Sequence, residues 1–376
     1  MSEAADVECL VVGAGVIGLA IARALAKAGR EVVILEAEHH IGTGISSRNS
    51  GVIHAGIYYS SDSLKARFCV AGRKALYAYC KAQKIPHQVC GKIIVAASEM
   101  QSRRLMAIKA RAEANGVLDL VALDRTELLA AEPELQGQTG LLSPSTGIID
   151  VRALMLAFQS EFEACGGVVA FDTPVTRGEV QTRKIMIQTG GADPMRLAAR
   201  WVILAAGLST PKLARSIDGV PPASIPKAYF AKGNYFSLAG QVPFCRLIYP
   251  LPEPGGLGAH LTLDMAGRGR FGPDVEWLDL TDDARIDYSV DESRVAAFYK
   301  SIRLFWPGLK EGALAPDYSG VRPKLVGPRE QDSDFLIQDS KIHGASGLIA
   351  LYGIESPGLT ASLAIADYVA SALDDV

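Results

Sequence analysis

An α/β fold, in which a parallel sheet is interrupted by an antiparallel-sheet domain, is predicted for this 376-residue chain by three observations. Residues Glu8 to Glu36 read as strand, glycine turn, helix and second strand. Near mid-chain, the run RWVILAAG is continuously apolar and ends in small residues. Between about Pro221 and Asp317 the pattern changes to alternating apolar and polar positions, rich in Gly, Pro and aromatic residues. Unbroken apolar runs suit strands covered on both faces, whereas alternation suits antiparallel strands with one face wet.

In ECLVVGAGVIGLAIARALAKAGREVVILE the first strand enters Gly13, Gly15 and Gly18, and an Ala-rich helix opened by Val16 and Ile17 ends at Gly29. Gly13 permits the turn, Gly15 lets backbone approach a pyrophosphate, and Gly18 lets helix and strand touch, while the helix N-terminus offers N–H donors to phosphate. Glu36, followed by Ala37, closes the second strand eighteen residues beyond Gly18. Its carboxylate suits two ribose hydroxyls and repels a 2′-phosphate, which predicts FAD or NAD and not NADP. The polar loop from Gly42 to Ser60 follows, with Ser47, Arg48, Asn49, Ser50, Gly51 and His54. Loops of this length beside a cofactor motif are usually functional.

Further on, helices are predicted from Leu64 to about Lys84, from about Glu99 to Asn115, from Asp124 or Thr126 to before Pro133, and from Val151 to Ala164. Strands are expected at KIIVAAS, at VVAFDTPV, around Lys184 to Gln188, and at RWVILAAGLST, whose end at Ala205, Ala206 and Gly207 approaches a ligand. The chain closes with strand GLIALYGI, a turn at Glu355-Ser356-Pro357-Gly358 and a helix to Leu373, for which Ser356 is the expected cap and Pro357 the first turn. The predicted division gives 1–88, 145–220 and 321–376 to one discontinuous domain and 89–144 and 221–320 to a second.

Composition excludes several classes. With 49% hydrophobic and 21% charged residues the chain can bury sizeable cores, and a net charge of −3 argues against a nucleic-acid partner. The Arg103, Arg104, Lys109 and Arg111 cluster reads as one solvated helix face. The six cysteines are scattered, without a CxxC pair or histidine clustering, so neither a metal site nor a disulfide frame is expected. The apolar run from Leu10 to Ala26 is preceded by acids and interrupted by Arg23, unlike a signal peptide or membrane span. A cytoplasmic protein without a transmembrane segment, free or peripheral to the inner membrane face, is the expectation.

Together, VVGAGVIGLAIARALAKAG…VVILE, SSRNSGVIHAGIYY, WVILAAG and YGIESPGLTASLAIADYV resemble the D-amino-acid oxidase superfamily of FAD enzymes. Within it, NSGVIHAGIYYSSDSLKARFCVAG, LLSPSTGIID and GGLGAHLTLDMAGRGRFGPDVEW resemble the L-2-hydroxyglutarate dehydrogenases. The resemblance implies a Rossmann-like FAD-binding domain with an inserted antiparallel substrate domain. It places Asn49, Ser50 and Gly51 along the isoalloxazine, Val175 beside the adenine, and the turn Ile354 to Thr360, including Gly358 and Leu359, at the flavin pyrimidine. One departure is Asp274, where some relatives carry Asn.

Oxidising a 2-hydroxy acid needs a base for the hydroxyl proton, and histidine suits neutral pH. Of six histidines, His39 and His40 read as the adenosine end or solvent, and His87 and His343 as polar turns; the resemblance implies that His54, in its glycine-flanked loop, and His260, in the strand GAHLTLD, sit at the domain interface. A guanidinium fork matches a carboxylate, and Arg322 is the expected anchor because YSGVRPKL resembles the substrate-carboxylate segment of amino-acid-oxidising relatives. Lys324, Tyr318, Tyr235 and Lys227 are candidates for a second carboxylate. The expectation is FAD-dependent oxidation of L-2-hydroxyglutarate to 2-oxoglutarate by hydride transfer from C2 to flavin N5, with a 2-hydroxy dicarboxylate as the small-molecule partner. The electron acceptor (quinone, protein or oxygen) stays open. The alternatives are a glycine- or sarcosine-oxidase-like enzyme and a non-catalytic dinucleotide-binding protein.

Overall fold

Strand Ala5–Val12 lies inside a nine-stranded sheet, flanked in parallel by Val32–Leu35 and Arg196–Leu204. Its Cys9, Leu10 and Val11 are fully buried, as a strand covered on both faces requires. Val168–Ala170 extends the sheet beyond Val32–Leu35, and Leu348–Tyr352 joins beside Arg196–Leu204, both in parallel. Distant stretches of chain therefore build one sheet. Helices Val16–Lys27, Val151–Ala164 and Gly358–Asp374 pack together on one face, Leu19, Leu25, Phe158 and Ile365 among the residues of that core. In this computed structural model the described residues are 5–251, 259–281, 283–328, 330 and 333–374.

The first helix approaches its strand because Gly18 has no side chain: a Cβ there would sit 1.9 Å from the Gly13 carbonyl oxygen. Asp124 caps Arg125–Ala131 in a reciprocal capping box with Glu127, as its sequence suggests.

A second nine-stranded sheet is built around Tyr229–Leu238, which pairs antiparallel with Leu314–Lys324, Gly269–Phe271 and Glu276–Leu278. Phe236, Phe271, Phe298 and Trp306 fill its core. The alternating region is mainly antiparallel, but Leu247–Pro250 pairs in parallel with Lys92–Ala96, which joins residues 92–96 and their partner Thr139–Ser143 to this sheet. A small sheet of Val52–Ile53, His87–Gln88 and Gly147–Ile149 connects the loop after the first βαβ unit to mid-chain.

Three local differences from the sequence reading have visible causes. VVAFDTPV is not one strand: Val168–Ala170 ends where Asp172 turns at φ +53°, and Val175–Val180 begins a separate antiparallel pair with Ile185–Thr189. Strand Leu314–Lys324 runs unbroken across position 321, held to Tyr229–Leu238 by a register that includes Arg322 opposite Ala231. His343 is buried and not in a wet turn; its Nδ1 accepts from the Ala345 N–H. Among the described residues no helix is long and apolar enough to cross a membrane.

Candidate active site

The glycine turn and the loop behind it open onto a cavity of about 910 Å3. That is the upper part of the roughly 300–1,000 Å3 range of small-molecule and cofactor sites. One end is bounded by Glu36, Ala37 and Val175, the middle by Gly13, Gly15, Val16, Ile17 and the Ala205–Gly207 strand end, and the far region by Arg48, Asn49, Ser50 and the turn from Ile354 to Leu359. The donor set matches an extended dinucleotide. Gly15 has no side chain to cap the first helix, and apart from the Val16 N–H, which Ser46 Oγ accepts, the first turn keeps donors for a phosphate. Glu36 is buried and its carboxylate is already fixed, accepting the Ala14 N–H at 2.6 Å and the Glu38 N–H at 3.0 Å. Its remaining lone pairs are those available to ribose hydroxyls.

Four side chains from separate segments meet this cavity at its other end. His54 comes from the polar loop, Tyr235 from Tyr229–Leu238, His260 from the residue before Leu261–Leu263, and Arg322 from Leu314–Lys324. The His54 Nε2 lies 3.2 Å from Ser356 Oγ, and its backbone N–H donates to Thr360 Oγ1 at 2.9 Å. His260 stacks on Tyr249 with ring centroids 3.7 Å apart and planes 4° apart. Arg322 donates to the Asp274 carbonyl at 2.8 Å. The Tyr235 hydroxyl lies 2.8 Å from Ser50 Oγ. Burial, followed by the nearby Lys92 ammonium and then the second imidazole, pushes His54 down to about 3. Burial, then Lys92, then Arg322 push His260 down to about 3 as well. Both rings are therefore neutral at physiological pH and able to accept a proton.

Other sequence candidates lie elsewhere. Lys227 is exposed, with its ammonium over the Tyr229 ring, outside the cavity. Lys324 donates to Glu355 Oε1 at 2.7 Å, and Tyr318 donates to the Asn49 carbonyl at 2.7 Å. Neither lines the cavity. Ser47 turns back onto the Thr43 and Gly44 carbonyls; its neighbour Ser46 faces the glycine turn and accepts the Val16 N–H at 3.0 Å. Gly18, Gly51 and Thr360 also stand behind the lining, Thr360 donating to the Val52 carbonyl. Ser356 meets His54 and does not act as the expected helix cap, the helix starting at Gly358. The Gly255 to Gly258 part of the His260 motif lies outside the described residues. Residues not anticipated from sequence include Tyr58, Tyr59, Tyr249 and Tyr288 in the lining.

Asp274 explains the stability of the Arg322 setting. Its Oδ1 accepts the Asn234 backbone and side-chain N–H groups at 2.7 and 3.1 Å, Oδ2 pairs with Arg294, and its carbonyl receives Arg322. An Asn here would lose the charge that Arg294 meets.

A sequence model described as FAD dependent oxidoreductase matches residues 8–372. The chain belongs to that family. It is 41% identical over 400 residues to "L-2-hydroxyglutarate dehydrogenase, mitochondrial" of Arabidopsis thaliana, covering 97% of this chain and 83% of the relative. A Salmonella houtenae protein of the same activity name is 30% identical, over 96% of this chain and 92% of that one. Within the FAD-dependent oxidoreductases the chain thus stands with the L-2-hydroxyglutarate dehydrogenases. In three dimensions it resembles FAD-bound L-alpha-glycerophosphate oxidase from Mycoplasma pneumoniae, with a TM-score of 0.84, 25% identity and coverage of 98% and 95% of the two chains. Glycine oxidase from Geobacillus kaustophilus shares the fold, with a TM-score of 0.82, 20% identity and coverage of 99% and 95%.

Proposed function

We propose that this FAD-dependent oxidoreductase converts L-2-hydroxyglutarate to 2-oxoglutarate at the histidine end of the cavity. The convergence of His54, His260, Arg322 and Tyr235 on one cavity wall, from four separate segments, carries the reading. Bound FAD supplies the two-electron acceptor for the C2 hydrogen. The protein's part begins with Arg322, whose fork is held from behind by the Asp274 carbonyl and fixes a substrate carboxylate. One of the two neutral imidazoles then takes the hydroxyl proton. A base held near pKa 3 is weak in the empty site, but an arriving dianion favours its protonated form and raises it. Ser356 and Tyr249 fix the ring directions of His54 and His260, so the acceptor is oriented before substrate arrives.

In this reading the sheet centred on Ala5–Val12 carries the cofactor and the sheet centred on Tyr229–Leu238 carries the substrate anchor, with the reaction between them. Glu36 and the glycine turn hold the adenosine half. We place the enzyme in the cytoplasm, with an acceptor still to be identified for the electrons. The test is anaerobic: L-2-hydroxyglutarate bleaches the bound flavin and the D-isomer does not. Equal bleaching by both isomers, or by neither, refutes the proposal.

A further inference from the structure

Lys92 opens strand Lys92–Ala96 and is only 1% exposed. Its ammonium sits 4.8 Å from the Tyr58 ring centroid and 4.5 Å from that of Tyr249. Both rings line the cavity, and Tyr249 is the ring on which His260 is stacked. Among the described residues no carboxylate lies within ion-pair distance of this ammonium. Buried lysines are ordinarily paired, and aromatic faces alone stabilise a cation only modestly. Neighbouring cations of the second sheet are otherwise committed: Lys324 to Glu355, Lys232 to the Ser289 carbonyl, Arg246 to Glu132, Arg270 to Asp317.

We propose that Lys92 is a positioning residue whose two protonation states serve two steps: the ammonium draws the dianionic substrate into the cavity, and the neutral amine lets His54 or His260 accept the hydroxyl proton. The inference rests on the substrate reading above. Both imidazoles are pushed down by this ammonium after burial itself, so its loss of charge raises their basicity. Burial pulls Lys92 down to about 7, which brings the change into the physiological range. The other groups around it do not titrate there: Tyr58 and Tyr249 are held above the usual phenol range by burial, and the Cys69 thiol is pushed up to about 12. Arg322, facing His260, stays charged. The protons balance: the Lys92 ammonium first releases its proton to bulk solvent, which is why the rate should rise with pH; hydride then leaves C2 for the flavin, and the hydroxyl proton goes to an imidazole.

The experiment uses FAD-loaded enzyme and 2-oxoglutarate as a non-oxidisable dianion, measured by titration calorimetry between about pH 6 and about pH 8.5. Wild type is expected to bind roughly tenfold more weakly at the upper pH, and to take up a fraction of a proton on binding near neutrality, since the dianion stabilises the ammonium. Lys92→Met should bind weakly at both pH values with no proton uptake, while Lys92→Arg keeps the tight value at both. In stopped flow, the limiting rate of flavin reduction by L-2-hydroxyglutarate should rise with pH in wild type and lose that rise in Lys92→Met. Flavin content of each variant reports folding, and the wild-type series decides the matter even if a variant does not fold. Wild-type binding that is flat across this range, without proton uptake, overturns the role of Lys92. A wild-type flavin that L-2-hydroxyglutarate fails to reduce overturns instead the substrate reading on which it rests.

Discussion

The two ends of the cavity are built by different means. At the adenosine end the working groups are backbone N–H donors and one carboxylate, all within Gly13 to Glu36 of a single βαβ unit. At the histidine end they are side chains from residues as far apart as His54 and Arg322, none fixed by its sequence neighbours. The first end depends on close backbone approach and the second on the register of distant strands. A change at one should therefore be recognisably different from a change at the other.

Gly18→Val should have the largest effect. The added Cβ falls 1.9 Å from the Gly13 carbonyl oxygen, and backbone cannot yield that far without moving the helix off its strand. The purified variant is expected to carry no flavin, read from its absorbance after gel filtration. A variant with full flavin content would show that the turn is not the cofactor's cradle.

At the other end, His54→Ala and His260→Ala should leave flavin content intact. The one that removes the base should slow anaerobic reduction by about 10²- to 10⁴-fold, and the other by much less. Both histidines also have a pH signature. Their folded pKa values of about 3 lie below the ordinary imidazole value of about 6.5, so the unfolded chain binds more protons in that window. Stability contributed by the neutral rings is thus intact above the upper value and lost as pH falls toward the lower one. The apoprotein's unfolding midpoint should drop over that interval, and less so in the His54→Ala, His260→Ala double variant.

The contrast also explains what could be read from the sequence. Gly13, Gly15, Gly18 and Glu36 were legible because their roles follow from spacing along one strand, turn and helix. Lys92 was not, because nothing local in the strand KIIVAAS marks its first residue as buried; it is enclosed by strands from elsewhere, Leu247–Pro250 some 155 positions away on one side and Thr139–Ser143 on the other. Tyr249 lies on that same distant partner. Ser47 and Ser46 are adjacent in a short 3₁₀ turn, and one residue of rotation decides which hydroxyl faces the cavity. Lys324 carried the right charge in the right strand, yet Glu355 claims it, a partner that only the folded return of the chain supplies.

Glu355 ties a helix of the cofactor half to the strand that bears the substrate anchor. Its carboxylate meets Lys65 at 3.1 Å, from helix Leu64–Gln83, and Lys324 at 2.7 Å, from the strand that bears Arg322. The carboxylate and the Lys65 side chain are only 5% and 6% exposed, so solvent cannot replace a lost partner well. Glu355→Leu should cost about 3 kcal/mol of stability, because both ammoniums lose the carboxylate they share. Chemical denaturation checks this, and a variant within about 0.5 kcal/mol of wild type would show the joint to be dispensable.

Glu36→Gln should have the smallest effect and gives the finest test of the division. The carboxylate accepts the Ala14 N–H through one oxygen and the Glu38 N–H through the other. An amide has a single acceptor oxygen, so one of these donors would face an NH2 group and lose its bond. The oxygen that remains can still accept from one ribose hydroxyl, while the second hydroxyl faces the NH2 group and loses its acceptor, and no charge on a bound cofactor needs the lost one. The net loss is on the order of 1 kcal/mol, or about fivefold in FAD affinity. Quenching of flavin fluorescence on titrating apoprotein measures it. Because the histidine end shares no hydrogen bond with Glu36, the reduction rate of the refilled variant should match wild type. A rate that falls together with affinity would mean that the two ends are coupled through the cofactor, and that the backbone-built half does more than hold it.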